Sequence, residues 1–480
     1  MIKNQRQYDT TQVQAARFEA ALESFEADRV NSSVHPRLLQ AEREGMESVL
    51  AELRAELREY DALRTGKRRV LELTSLSEVP AALIQARIAA GLNQRDLADR
   101  LGWKVQQLQR YEATDYAGAS LARIQQVADA LEVGFREEVL LPGTLSLSAV
   151  AKTSGRIGVQ ADFLKRRFAT GGRHGGGVAA ALSAVSNLSR VYRISTAELY
   201  GDAPPRFDLA AASGGRFKVR SGANPERLTA YTVYAHYLSL LAQQATDRGP
   251  QKPIPKSAAD VRSAILERHG KVEFSSVLAY VWDLGIPVLP LSDPGAFHGA
   301  CFRDGGRNVI VLKQRSSSLD RWTFDLLHEL RHAAEAPELE QRDVIEIDKA
   351  PQETKSSPEE STCNRFAGDV VLSGRAEELT QEAVRRAGTI PGLKSVVADL
   401  ARLEGVPTGA LANYIAVRLD ASGKDWWGAA NNLQESGNPW LVARDKFLTE
   451  VDASVLSPPD RDLLMQALTD FDATETNSDV

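Results

Sequence analysis

Cysteine is scarce in this 480-residue chain: only Cys301 and Cys363 are present. Two thiols cannot make a disulfide scaffold, and their scarcity fits a reducing compartment. The opening residues MIKNQRQYDTT lack the apolar core of a secretory leader. No stretch approaches the ~18–20 apolar residues that span a bilayer. There is no general excess of positive charge either. The net charge is −6, so any nucleic-acid surface must be local. These absences predict a soluble, cytoplasmic protein with no membrane partner.

The length exceeds what one hydrophobic core organises, so about three or four domains are expected. A hydrophobic fraction of 43% is enough to build them. In residues 1–75, Phe18, Leu22 and Phe25, and then Leu39, Met46, Leu50, Leu53, Leu57 and Tyr60, step at helical seam spacing. NSSVHP between them reads as a turn. The seam suits an antiparallel hairpin packed on itself, or an arm that forms a homodimer or holds a toxin.

Residues 76–145 change to short helical patterns with small turns. Ile84, Ile88, Leu92, Leu97, Leu101, Leu108, Leu121, Ile124, Val127 and Leu131 are the expected core. Asn93 is a candidate helix cap, and Gly102 a tight turn. Residues 146–205 read as a degenerate echo of this unit, in the manner of a tandem repeat. Between Lys152 and Arg173 there are six basic residues against one acidic, and FLKRRF with GGRHGGG reads as a phosphate-contacting surface or as a solvated basic face. Residues 206–227, rich in Gly, Pro, Ala and Ser, read as a linker. Residues 228–420 have an α/β flavour. Short strands are expected around Val288–Leu289, Ala300–Phe302 and Val309–Leu312, with turns at DPG and DGG. A polar loop follows, then a helix from about Pro358. Residues 421–480 read as a helical extension whose WW pair could be core or contact surface.

HELRH, His328–His332, carries the chemistry. Positions i and i+4 share a helix face, so His328 and His332 can aim at one ion. Glu329 lies about 100° round the helix, placed to act as general base instead of ligand. Zinc lowers the pKa of water towards 7, which lets a carboxylate take the proton. A third protein ligand is required. Glu360 is the first candidate and Glu359 the rival. His298 could stabilise an oxyanion or contact substrate, or be purely structural. Cys363, three residues past Glu360, reads first as small buried packing and second as a metal-linked redox switch. HELRH could also be an ordinary solvated helix face.

FDLLHELRHA followed by ESTCNRFAG resembles the ImmA/IrrE-type metallopeptidases, which have HExxH and then E-x-x-A-N-x-F-A downstream. The match covers about residues 275–375. It implies an α+β zincin-like domain with a small sheet and one Zn2+ per chain on His328, His332 and Glu360. Glu329 would be catalytic, and the substrate a DNA-bound repressor or another regulator. There are departures: Arg331 stands where the family has a small residue, Cys363 where it has alanine, and Asp325 where it has a hydroxyl. Arg331 could narrow the cleft or restrain activity.

NQRDLADRLG and KVQQLQRYE resemble the two helices of a Cro-repressor-like (XRE-type) helix-turn-helix domain. That resemblance implies a second helix in the major groove of operator DNA, with Lys104, Gln106, Gln107 and Gln109 near base edges. Gln94 would contact phosphate or base, and Arg110 the backbone or an internal glutamate. The expected fold is therefore multidomain and mainly α. A helical arm and one or two helix-turn-helix units precede the peptidase-like domain.

Two functions follow. In one, a DNA-binding regulator carries a zinc endopeptidase that hydrolyses a protein held at a sheet edge, in stress, mobile-element or toxin-antitoxin control. In the other, a repressor or antitoxin senses a ligand or holds a toxin without cleaving.

Overall fold

The computed structural model describes residues 1–28, 36–66, 71, 73, 76–134, 146–169, 177–200, 225–246, 249–294, 297–313, 316–346 and 358–470. The readings at NSSVH, most of GGRHGGG, the linker up to 224 and the polar loop of 347–357 lie outside them. Among the described residues the chain is mainly α with one small mixed sheet, and it divides into Met1–Leu140 and Leu141–Val480. Among the described residues no helix is long and apolar enough to cross a membrane.

In the first unit, α1 (Gln5–Asp28) and α2 (Pro36–Arg64) form an antiparallel hairpin. Arg54 pairs with Glu19 at 2.8 Å. The Tyr8 hydroxyl donates to Asp61 at 3.1 Å, and its ring lies 5.0 Å from that of Tyr60. The seam residues are half-buried or buried. The base of the hairpin does not stand apart. Ile2, Tyr60 and Leu63 share one core with Val79, Leu83, Ile84, Leu97, Leu108 and Val127.

The helices that complete this core are α3 (Val79–Ala89), α4 (Gln94–Leu101), α5 (Val105–Ala113) and α6 (Leu121–Ala130). Asn93 caps α4 in a reciprocal box with Asp96, and Gly102 closes it at φ +65°, a conformation that favours glycine. Leu121 departs from expectation: it is 81% exposed. It sits at the first position of α6, and Ile124 and Val127 fill the core side.

The second unit holds the sheet, in the order β1-β3-β2-β4. Its strands are β1 (Val288–Pro290), β2 (Gly299–Asp304), β3 (Arg307–Leu312) and β4 (Arg342–Glu346). β1 runs parallel to β3, and β2 is antiparallel to both β3 and β4. Gly305 and Gly306, both at positive φ, make the two-residue turn between β2 and β3 that DGG predicts. β4 was not legible. RDVIE has no clean alternation, and β2 is its partner in the sheet.

Helices α7 (Leu147–Ser154), α8 (Ala161–Arg167) and α9 (Gly177–Tyr192) belong to this same core. The basic stretch on α8 is therefore not all surface. Lys165 is exposed, but Arg167 is fully buried. Arg167 pairs with Asp293 and donates to the carbonyls of Gln466 and Thr469. The extension past residue 421 joins the core too, through Trp426, Ala430, Phe447 and Leu463. Trp426 is buried, and Trp427 lies under the Arg321 guanidinium at 4.3 Å.

Candidate metal centre and nucleic-acid interface

The HELRH helix runs Leu319–Ala333, and every residue from Trp322 to Ala333 is buried. A solvated charged face is not what this stretch forms. The helix is held at both ends. At its start, Ser318 caps the Arg321 N–H and donates its own hydroxyl to Gln434 at 2.6 Å. Gln434 also donates to the Ala430 and Gly409 carbonyls, so the C-terminal extension braces the helix N-terminus. At its end, buried Arg303 of β2 donates to the carbonyls of Ala333 at 2.7 Å and Glu335 at 3.0 Å. Arg342 donates to the His332 carbonyl at 2.8 Å. Cations there match the negative end of the helix dipole and satisfy its terminal carbonyls.

The Glu360 helix, Pro358–Val371, packs beside it. His328 Nε2 and His332 Nε2 lie 3.0 Å apart. Glu360 Oε2 is 3.4 Å from the first, and its Oε1 is 3.5 Å from the second. Ligands about 2.0–2.1 Å from a tetrahedral zinc stand about 3.3 Å from each other. The three side chains are already spaced that way.

The outer hydrogen bonds decide what the rings present. His328 Nδ1 meets Asn364 Oδ1 at 3.0 Å, and His332 Nδ1 meets Glu359 Oε1 at 3.1 Å. Both partners are acceptors, so in neutral rings both protons sit on Nδ1 and both Nε2 atoms carry lone pairs. Two lone pairs and the Glu360 carboxylate then converge with no proton between them. A cation resolves that repulsion, so the residues fit a metal. Burial pushes the Glu360 carboxyl up; when the two rings are protonated instead, their charge and their Nε2–H bonds outweigh burial and hold the group well below the usual range. Glu359, the sequence rival to Glu360, instead orients His332 and is paired with Arg342. Burial raises it, yet Arg342 and His332 keep it below its ordinary value.

Glu329 is fully buried. Gly299, the first residue of β2, faces it so closely that a Cβ there would overlap Glu329 Oε1. Gly299 was missed in the sequence, where the one signal is a glycine at the edge of a strand pattern. Gly299→Ala is expected to destabilise the second unit by about 1–3 kcal/mol through overpacking. The check is the urea midpoint, and an unchanged midpoint would mean that the carboxylate does not need this space. His298 is the next residue back, half-buried, with its carbonyl accepting from the Lys313 N–H at 2.8 Å. Arg331 pairs with Glu335 and lies 6.0 Å from the Phe366 ring centre. Asp325 pairs with Arg321.

In the first unit, α4, the turn at Gly102 and α5 place Leu97, Ala98 and Leu108 inward. Gln106, Gln109 and Arg110 are exposed, and their spacing puts them on one face of α5. Lys104 is exposed at its N-cap, whereas Gln107 is half-buried. Gln94 is turned inward, its amide donating to Glu112 at 2.8 Å. Glu112 is the internal glutamate of the unit, and its buried cation is Arg87, at 2.6 Å. Arg110 stays on the exposed face.

A family model described as helix-turn-helix matches residues 83–137. No curated protein matches the chain, and no solved structure does. The match stops short of HELRH. It supports a DNA-binding regulator, with the reading unit inside the first compact unit.

Proposed function

We propose that the protein is a DNA-binding regulator whose second unit is a zinc-dependent endopeptidase of the ImmA/IrrE type. The observation that carries this reading is the convergence of His328 Nε2, His332 Nε2 and a Glu360 carboxylate at 3.0–3.5 Å. Bound zinc would supply Lewis-acid activation of water and of the scissile carbonyl. Glu329 takes the proton from the attacking water and gives it to the departing amide nitrogen, so that a C–O bond forms as the C–N bond breaks. Asn364 and Glu359 hold the two imidazoles in register. Gly299 leaves room for the Glu329 carboxylate.

The substrate is a protein segment, a repressor or another regulator. It lies as an added strand along β4, which stands at the end of the sheet. Arg342, the first residue of that strand, already touches the His332 carbonyl, so the edge leads to the histidines. The helix-turn-helix unit brings this chemistry to an operator.

Zinc analysis tests the reading. Full-length protein purified without a metal-binding tag is expected to carry about one zinc per chain, and Glu360→Ala clearly less. Wild-type protein without zinc after careful handling would leave HELRH as a structural helix.

A further inference from the structure

Cys363 lies one turn beyond Glu360 on the same helix, and residues three apart share a face. Its side chain is 1% exposed. The Cys363 Sγ and one ring nitrogen from each of His328 and His332 all lie within 4.8 Å of one another. In a tetrahedral zinc site a nitrogen and a sulfur ligand stand about 3.6 Å apart, so a side-chain adjustment of about 1 Å closes the set. The other thiol is placed differently: Cys301 sits on β2 with its Sγ 4.0 Å from Asn308 Oδ1.

We propose that Cys363 is a fourth protein ligand, so that His328, His332, Glu360 and Cys363 close the coordination of the ion. This rests on the zinc reading above and extends it. Thiolate suits zinc as well as imidazole does. Zinc sites with four protein ligands are structural, while catalytic sites keep one position open. The closed set therefore makes the resting peptidase latent. Activity would require water to take the place of the sulfur on the ion, the thiolate taking up a proton as it leaves, while the two histidines and Glu360 stay. The one-turn offset on a single helix makes this possible, because Cys363 can change rotamer without moving Glu360.

Cobalt substitution of the full-length chain tests the proposal, with wild type, Cys363→Ala and Cys301→Ala compared. All three are expected to show the visible bands of tetrahedral cobalt. Wild type and Cys301→Ala are expected to show a near-ultraviolet sulfur-to-cobalt charge-transfer band, and Cys363→Ala to lose it. Visible bands without the charge-transfer band in wild type would overturn the role of Cys363 and leave the metal site standing. No cobalt bands at all would overturn both. A band that persists in Cys363→Ala would also overturn the proposal. On a denatured peptide library, zinc-loaded Cys363→Ala is expected to generate new N-termini faster than wild type. Equal rates would overturn latency.

Discussion

Glu329→Gln is expected to keep its metal and to lose peptide hydrolysis by about 10²–10⁴-fold, the usual contribution of a positioned general base. The isosteric amide fills the same space beside Gly299, so the buried helix keeps its packing. It cannot accept the proton that hydrolysis releases from water. The measurement is the rate at which new N-termini form in a denatured peptide library, read by mass spectrometry. It is made in the Cys363→Ala background as well as in wild type, because a closed site would hide the effect. DNA binding is expected to be unchanged, since Lys104, Gln106, Gln109 and Arg110 all lie in the first unit. If the peptidase-like unit only senses a ligand or holds a toxin, Glu329→Gln changes nothing. Equal hydrolysis in the two proteins would remove Glu329 from the chemistry.

The largest effect on stability is expected from Asp293→Asn, which strands the buried Arg167 guanidinium. Both side chains are essentially inaccessible to water. Asp293 also accepts the Tyr231 hydroxyl at 2.8 Å, deep in the same core. Removing one partner of a buried pair leaves an uncompensated charge and costs about 3–5 kcal/mol. A unit of this size should then melt lower by about 4–7 °C. The urea midpoint of the full chain and its thermal transition are the readouts. The variant also separates two meanings of the basic stretch on α8. If Arg167 worked as a phosphate contact, Asp293→Asn would free its charge, tighten DNA binding or leave it unchanged, and leave the midpoint in place. The structure favours the other result, because Arg167 spends its remaining donors on the Gln466 and Thr469 carbonyls.

The sequence echo between residues 80–133 and 147–201 shows how far composition can be read. Both stretches alternate short helices with glycine turns and basic residues. In the first, the basic and polar residues of α5 remain outside, and a family model matches it. In the second, α7, α8 and α9 enter the core around the sheet, and the most deeply placed arginine is a structural cation. Charge counts do not distinguish these cases, because a count does not say which side chain has a buried partner. The acid that buries Arg167 is 126 residues away.

The sequence by itself determined the features that depend on near neighbours along the chain. These include the seam of the N-terminal hairpin, the Asn93 cap and Gly102 turn of the helix-turn-helix, the DGG hairpin, and the helical spacing of His328 and His332. Each follows from a period of 3.6 or from a turn's demand on φ, so a few consecutive residues suffice. Only the tertiary structure decided what those residues meet. It put Asn364 and Glu359 on the outer nitrogens of the two histidines, Gly299 against Glu329, Arg303 and Gln434 at the two ends of the HELRH helix, and Cys363 beside the site. It also paired β4 with β2. These contacts join segments far apart in sequence, and their register depends on how whole helices and strands pack. No local pattern carries that information.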